Sequence, residues 1–529
     1  MASDNPAGGA PITQDRSFAG HGQAGLSPCY SMTAPAASTL VSEPSRPSAV
    51  IATQARVPTT EIDASCRVPV LLLFVSGAIW LLVGIFLLLL SSVKLHSPGV
   101  LADTAWLTLG RIRPAAMNAV LYGFASQTAI GVLLWMLCRL AGTRLFFQST
   151  ILIAGMLWNL GVTTGFVGIL AGAGTGFDWL EMPRYASVIL FVAYALIGIC
   201  AVMTFHFRRD PALYVSQWYL LAALFWFPWI YSAANFLLLI QPVRGVMQAV
   251  VNAWYTNIFL HLWLGSIGLA VIFYFIPKLI GRPLYNRWLA AFGFWTLAFF
   301  ANLSGLNQLT GGPVPAWMIS ISVAAGVLLI VPLISVAINW HLTLAGNYQR
   351  AKEDMTLRFV VFGAGCYLIA EALGIVLGTR EVSVATHYTY LELGHRYLAL
   401  FGFVGMVLWG SLHYIVPRLV QMDWYCPKLT KTHFRCSALG VGLIFVALSA
   451  GGVLHGLKMN LGTEDMVRLV RATVPFVGLS TLGWLLLLIG QGALLMNLFV
   501  VLRRSVEPYR RSAWELVRSD NPAQPEESS

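Results

Sequence analysis

Apolar runs of about twenty residues, recurring from Val68 to Val501, constrain this chain more than any other feature. They lie at roughly 69–92, 114–138, 149–173, 185–206, 217–240, 250–277, 289–310, 316–342, 358–378, 395–418, 437–457 and 472–501. A helix needs about 20 such residues to cross the hydrocarbon of a bilayer. Lipid offers the backbone no hydrogen bonds, so each crossing must satisfy its own peptide groups, as a helix does. The expected fold is all-α: a polytopic membrane bundle of about twelve transmembrane helices. Composition agrees, since only 10% of residues are charged where soluble domains carry roughly a quarter.

Three regions follow. Residues 1–66 are rich in Pro, Ala, Ser and Gly, lack the apolar run of a signal peptide, and read as a disordered cytoplasmic arm. Residues 67–502 form the membrane domain, and residues 503–529 a basic, then acidic, cytoplasmic tail. The net charge of +11 is spread over short loops and tails, which fits cytoplasmic loops and excludes a nucleic-acid surface. Basic residues such as Arg139, Arg144, Lys278, Arg282, Arg287, Arg350, Arg418 and Lys428 fall on the side of the termini if both termini are cytoplasmic. The opposite loops hold fewer. The seven cysteines form no C-x-x-C pair and no C-x-x-C-H, so neither a disulfide framework nor a covalent c-type haem is expected.

The stretch Thr386–Leu419 opens polar and aromatic, then turns apolar. His395 stands at its mouth, where a haem protein would place an axial ligand, and His387 precedes it as a candidate pocket residue. The alternative is an interfacial histidine hydrogen-bonded at a helix start. Counting 1.5 Å per residue along the sixth helix places Asn257 about 10 Å, and His261 about 16 Å, below the same membrane face. The seventh helix ends there with Ser304-Gly305-Leu306-Asn307-Gln308. Polar groups on three helices thus converge at one depth, which predicts a buried pocket. The competing reading is Asn and Gln joining helices by hydrogen bonds.

Ordered motifs link the chain to a family. They are Phe275-Ile276-Pro277-Lys278 with Arg282-Pro283-Leu284-Tyr285, Phe294-Trp295, Tyr214-Val215-Ser216-Gln217-Trp218, and Ile338-Asn339 with Thr343-Leu344. His387-Tyr388-Thr389, Gly394-His395, Val416-Pro417-Arg418-Leu419, and Arg111-Ile112-Arg113-Pro114 with Asn118-Ala119-Val120 complete the set. From Ile62 to Leu457 the chain resembles subunit I of the cbb3-type cytochrome c oxidases, in the haem-copper oxidase superfamily. The resemblance implies a bacterial inner membrane location and a low-spin haem held by histidines of helices two and ten. It also implies a high-spin haem on the other helix-ten histidine, and a copper on one histidine of helix six and an adjacent pair of helix seven.

Most of those positions differ here. They fall on Ala116 in helix two, Tyr397 in helix ten, Asn257 in helix six, and Asn307 and Gln308 in helix seven. The family's cross-linked tyrosine falls on Ala301, and only His395 survives, at the high-spin haem position. Neutral amides are poor copper ligands. His261 is a weak substitute, and Tyr397 could ligate iron only as tyrosinate. Glu371 resembles a glutamate of the family's helix nine or pairs with an arginine. No residue is assigned a catalytic role.

Three functions remain open. One is a degenerate homologue with at most one b-type haem, at His395, and no copper, associated with respiratory electron transport or its assembly. Another is an active terminal oxidase subunit taking electrons from cytochrome c. The last is a small-molecule or metal transporter on the same bundle. The chain contains no two adjacent histidines, which favours the first. Expected partners are membrane lipid and other oxidase-like subunits or a cytochrome c, with no nucleic acid.

Overall fold

The computed structural model describes residues 57–462 and 465–519, with side chains to residue 507. Twelve helices among the described residues are long and apolar enough to cross a membrane. They are α1 Thr59–His96, α2 Leu109–Ala141, α3 Gln148–Ala171, α4 Arg184–His206, α5 Val215–Ile240 and α6 Met247–Ile280. The second half comprises α7 Arg287–Leu309, α8 Ala316–Leu344, α9 Met355–Leu377, α10 Tyr390–Val420, α11 Pro427–Leu461 and α12 Met466–Glu507. No strand occurs among the described residues. Each apolar run overlies one helix, but several helices are longer, because hydrogen bonding continues where apolarity stops. α1 begins at Thr59, inside the stretch read as a disordered arm; residues 1–56 of that arm lie outside the described residues. The last helix continues to Ser519, through most of the expected tail.

Three helices form the centre. The most apolar windows of α2 and α10 are fully buried and that of α6 is 89% buried, against 33–50% in the other nine. The nine therefore give lipid one face and the centre the other. Each central helix contains a π-helical segment: Ala119–Ser126, Phe259–Leu264 and Leu398–Gly405. Such a segment inserts extra residues per turn and re-aims the side chains around it, and it recurs at functional sites. Polar side chains tie the layers together. Asn159 Nδ2 of α3 donates to Gln127 Oε1 of α2 at 2.9 Å, and Ser76 Oγ of α1 donates to the same oxygen at 2.7 Å.

The segment between α9 and α10 is held against α11. Cβ atoms at Gly452 and Gly456 would overlap the backbone of Leu391 and Ala385 respectively. Only glycine permits this approach. Gly456→Ala should lower the thermal midpoint of the detergent-solubilised protein, by the equivalent of about 1–3 kcal/mol. Gly442→Ala on the same helix, where a Cβ meets nothing within 4 Å, should leave it unchanged or raise it slightly through helix propensity. Equal midpoints for the two variants would contradict the close approach.

Candidate functional site

α10 is set up by its own entry turn. Tyr388 adopts a left-handed φ of 62°, uncommon for a residue with a bulky side chain, and reverses the chain before the helix. Thr389 then caps it, its Oγ1 accepting from Leu391 N at 3.3 Å. One turn inside, His395 Nε2 donates to the carbonyl of Ala370 on α9 at 2.9 Å. A carbonyl only accepts, so Nε2 carries the proton. Gly374 lets the ring in, since a Cβ there would stand 3.1 Å from Nε2.

On α6, His261 Nδ1 donates to Asn257 O at 2.9 Å, and its Nε2 stands 3.4 Å from Glu371 Oε1 of α9. With Nδ1–H committed to a carbonyl, Nε2 is the ring nitrogen that faces the carboxyl. Glu371 thus pairs with His261 and not with an arginine. Asn257 Nδ2 donates to Ala301 O at 2.8 Å, Ser304 O at 3.3 Å and Ser304 Oγ at 3.2 Å on α7. Gly305, at φ 97°, makes room: a Cβ there would lie 2.5 Å from that of Asn257. α7 breaks at Ser304 and resumes as a 3-10 turn, Leu306–Leu309, carrying Asn307 and Gln308. Gln308 Oε1 accepts from Arg396 at 3.2 Å, and Arg396 also binds Asp178 at 2.8 Å. His387 Nδ1 donates to Glu392 Oε1 at 2.7 Å. Its Nε2 is buried without a partner among the described residues.

These groups line one cavity of about 120 Å³, at the end where α6 and α10 begin. His395, His387, His261, Asn257, Asn307 and Gln308 all contribute to it. The predicted convergence of α6, α7 and α10 is present, and Asn257 also acts as the helix-joining amide of the competing reading. The sequence did not point to Glu392 or to Arg396 with Asp178. The acidic first turn of α10, three residues before His395, was the available signal for Glu392.

A second cavity of about 530 Å³ lies between α2 and α10. Arg113 and Met117 line it from α2, Tyr397 and Arg396 from α10, and Glu181 from the connection between α3 and α4. That connection is pinned by Tyr122 of α2, which donates to Trp179 O at 2.7 Å and accepts from Tyr255 of α6 at 2.5 Å. Glu181 accepts from Asn118 Nδ2 at 2.7 Å.

The family described as Cytochrome C and Quinol oxidase polypeptide I matches residues 68–486. The chain belongs to that family. It is 26% identical to the cytochrome c oxidase subunit 1 homolog, bacteroid, of Bradyrhizobium diazoefficiens, over 80% of each chain. It is 23% identical to the cbb3-type cytochrome c oxidase subunit CcoN1 of Stutzerimonas stutzeri, over 84% of this chain and 94% of that one. A heme-copper terminal oxidase dimer solved by cryo-EM shares the fold, with a TM-score of 0.66 at 14% identity over 82% of this chain and 84% of that one. The chain is thus a subunit I-like, multi-pass membrane protein of the haem-copper oxidase family, with cbb3-type homologues.

The residues present fit the family's metal groups poorly. Asn257 uses its amide hydrogens on carbonyl and hydroxyl oxygens of α7, and Gln308 Oε1 is taken by Arg396. The nearest imidazole, His261, lies one turn from Asn257 and is held by Asn257 O and beside Glu371. His395 Nε2 carries a proton toward Ala370 O, so iron could be met only by its Nδ1 or after that bond is broken. The cavity beside it is well below the roughly 300–1,000 Å³ of pockets that enclose larger ligands. Met117 and Tyr397, but not Ala116, line the second cavity.

Burial, and then Asp178, push the Glu181 carboxyl up to about 7. Its folded value lies above its unfolded value, so the folded state holds an extra proton between the two. Stability should therefore fall as pH rises from about 4.5 to about 7, by up to about 3 kcal/mol, and flatten above. Thermal midpoints across this range should lose that slope in Glu181→Gln. Parallel profiles for the two proteins would refute the assignment.

Proposed function

We propose that this protein is a divergent subunit I-type bundle that holds no copper and at most one b-type haem, at His395. It serves respiratory electron transport, or the assembly of a respiratory complex, without reducing oxygen itself. The observation that carries this reading is Asn257. At the position to which the resemblance assigns a copper histidine stands a neutral amide whose hydrogens bind Ala301 and Ser304. Neutral amide oxygens belong with hard cations, and copper prefers imidazole or thiolate. Asn307 and Gln308 extend the same chemistry to the other two positions.

The reading places the chain in a bacterial cytoplasmic membrane with both termini inside. The basic residues at the end opposite the polar cavity support that orientation. Its partners would be other oxidase-like subunits or a cytochrome c. The buried His261–Glu371 pair supports a second reading, passage of a proton or a small polar solute. An ionisable pair lining a cavity at membrane depth is costly and marks such paths.

Reduced-minus-oxidised spectra and oxygen uptake with reduced cytochrome c, on the purified chain and on His395→Ala, test the proposal. Expected are at most one b-type haem per chain, lost in His395→Ala, and no uptake above a heat-treated control. Two haems per chain with sustained uptake would overturn it.

A further inference from the structure

The largest cavity described here, about 810 Å³, lies at the end of the bundle opposite the polar pocket, where α6 finishes and α5 and α7 begin. Its wall contains four cations, Arg139, Lys278, Arg282 and Arg287, and no acidic residue. Arg139 is paired with Asp63 at 3.1 Å. The other three have no carboxylate partner among the described residues. Lys278 Nζ donates to the Tyr274 hydroxyl at 2.5 Å, Arg282 donates to the carbonyl of Ala345 at 3.1 Å, and Arg287 lies over the Trp288 ring at 4.9 Å. Three guanidinium or ammonium groups thus line one cavity without an ion-pair partner among the described residues.

The backbone adds to the same field. α5 begins at Val215 and α7 at Arg287, and both first turns line the cavity. Each brings the positive end of a helix dipole to the same place, although the N–H groups of Trp288 and Leu289 at the start of α7 are already capped by Asn286 Oδ1 at 3.0 Å. A multivalent oxyanion complements both the side chains and the two helix dipoles.

The surroundings decide what carries that anion. Trp288 is 71% exposed beside the cavity. From it an apolar stripe runs along one face of α7 through Phe292, Trp295 and Phe299, each more than half exposed. The spacing, i, i+4, i+7 and i+11, is that of a single helix face. The stripe leads from the basic cavity toward the middle of the membrane. A free anion has no use for it, whereas acyl chains attached to a headgroup in the cavity would lie along it.

We propose that this cavity is a binding site for the phosphate headgroup of an anionic phospholipid, with its acyl chains on the Trp288–Phe299 face of α7. Lys278, Arg282 and Arg287 hold the phosphate. The site is separate from the polar cavity at the other end, and it does not depend on haem or copper content.

Native mass spectrometry of the full-length protein, released from detergent with phosphatidylglycerol and phosphatidylcholine of identical acyl chains, tests this. The wild type should retain phosphatidylglycerol over phosphatidylcholine by roughly a hundredfold, as three cations near a headgroup imply. In the Lys278→Gln, Arg282→Gln, Arg287→Gln variant the preference should fall to near parity. The charge-keeping variant Lys278→Arg, Arg282→Lys, Arg287→Lys should retain most of it. Parity in the wild type would overturn the proposal, and this arm needs no variant to fold. A glutamine variant that stays monodisperse and keeps the full preference would also overturn it. So would displacement of the lipid by inorganic phosphate at matching concentration, which would assign the cavity to a soluble anion.

Discussion

Hydrocarbon supplies no hydrogen-bond partner, so a polar side chain on a spanning helix is costly unless the bundle supplies one. That constraint organises this molecule. The central helices α2, α6 and α10 are enclosed by the other nine, and they can carry Asn257, His261 and His395 because α7 and α9 present acceptors to them. The acceptors are largely backbone carbonyls: Ala301 O for Asn257 and Ala370 O for His395. A carbonyl cannot be lost by substitution of its side chain. The arrangement therefore helps hold the helices in register.

The same bonds define the chemistry the cavity offers. An imidazole that donates from Nε2 to a carbonyl differs from one that offers a lone pair to iron, although the residue is the same. Asn257 joins α6 to α7 through its amide hydrogens. The fold brings helices six, seven, nine and ten to one point, and the donors found there are His395, His261, Glu371 and the amides of Asn257, Asn307 and Gln308. Fold and chemistry are separable in this way because packing is carried by many residues and ligation by few.

Much of this was legible in the sequence. The twelve crossings could be read because a run of about twenty apolar residues has few other uses. The convergence of Asn257, Asn307, Gln308 and His395 followed from counting residues from one membrane face. Pair identities were not legible. Whether Glu371 meets His261 or an arginine depends on how α9 is rotated, and the π-helical segment at Phe259–Leu264 alters the aim of α6 in a way no periodicity reveals. Nor could the sequence show that His395 meets a carbonyl, since every residue carries one. Helix ends were misjudged at Thr59 and beyond Leu502 because apolarity reports depth in lipid and not the extent of hydrogen bonding.

The central claim is that the donors gathered around Asn257 do not bind copper. Copper per chain in protein purified from copper-replete cells, measured by elemental analysis against protein mass, tests it most directly. The account predicts a copper content far below one per chain that dialysis against a mild chelator removes entirely. One tightly held copper per chain, surviving the chelator, would contradict it.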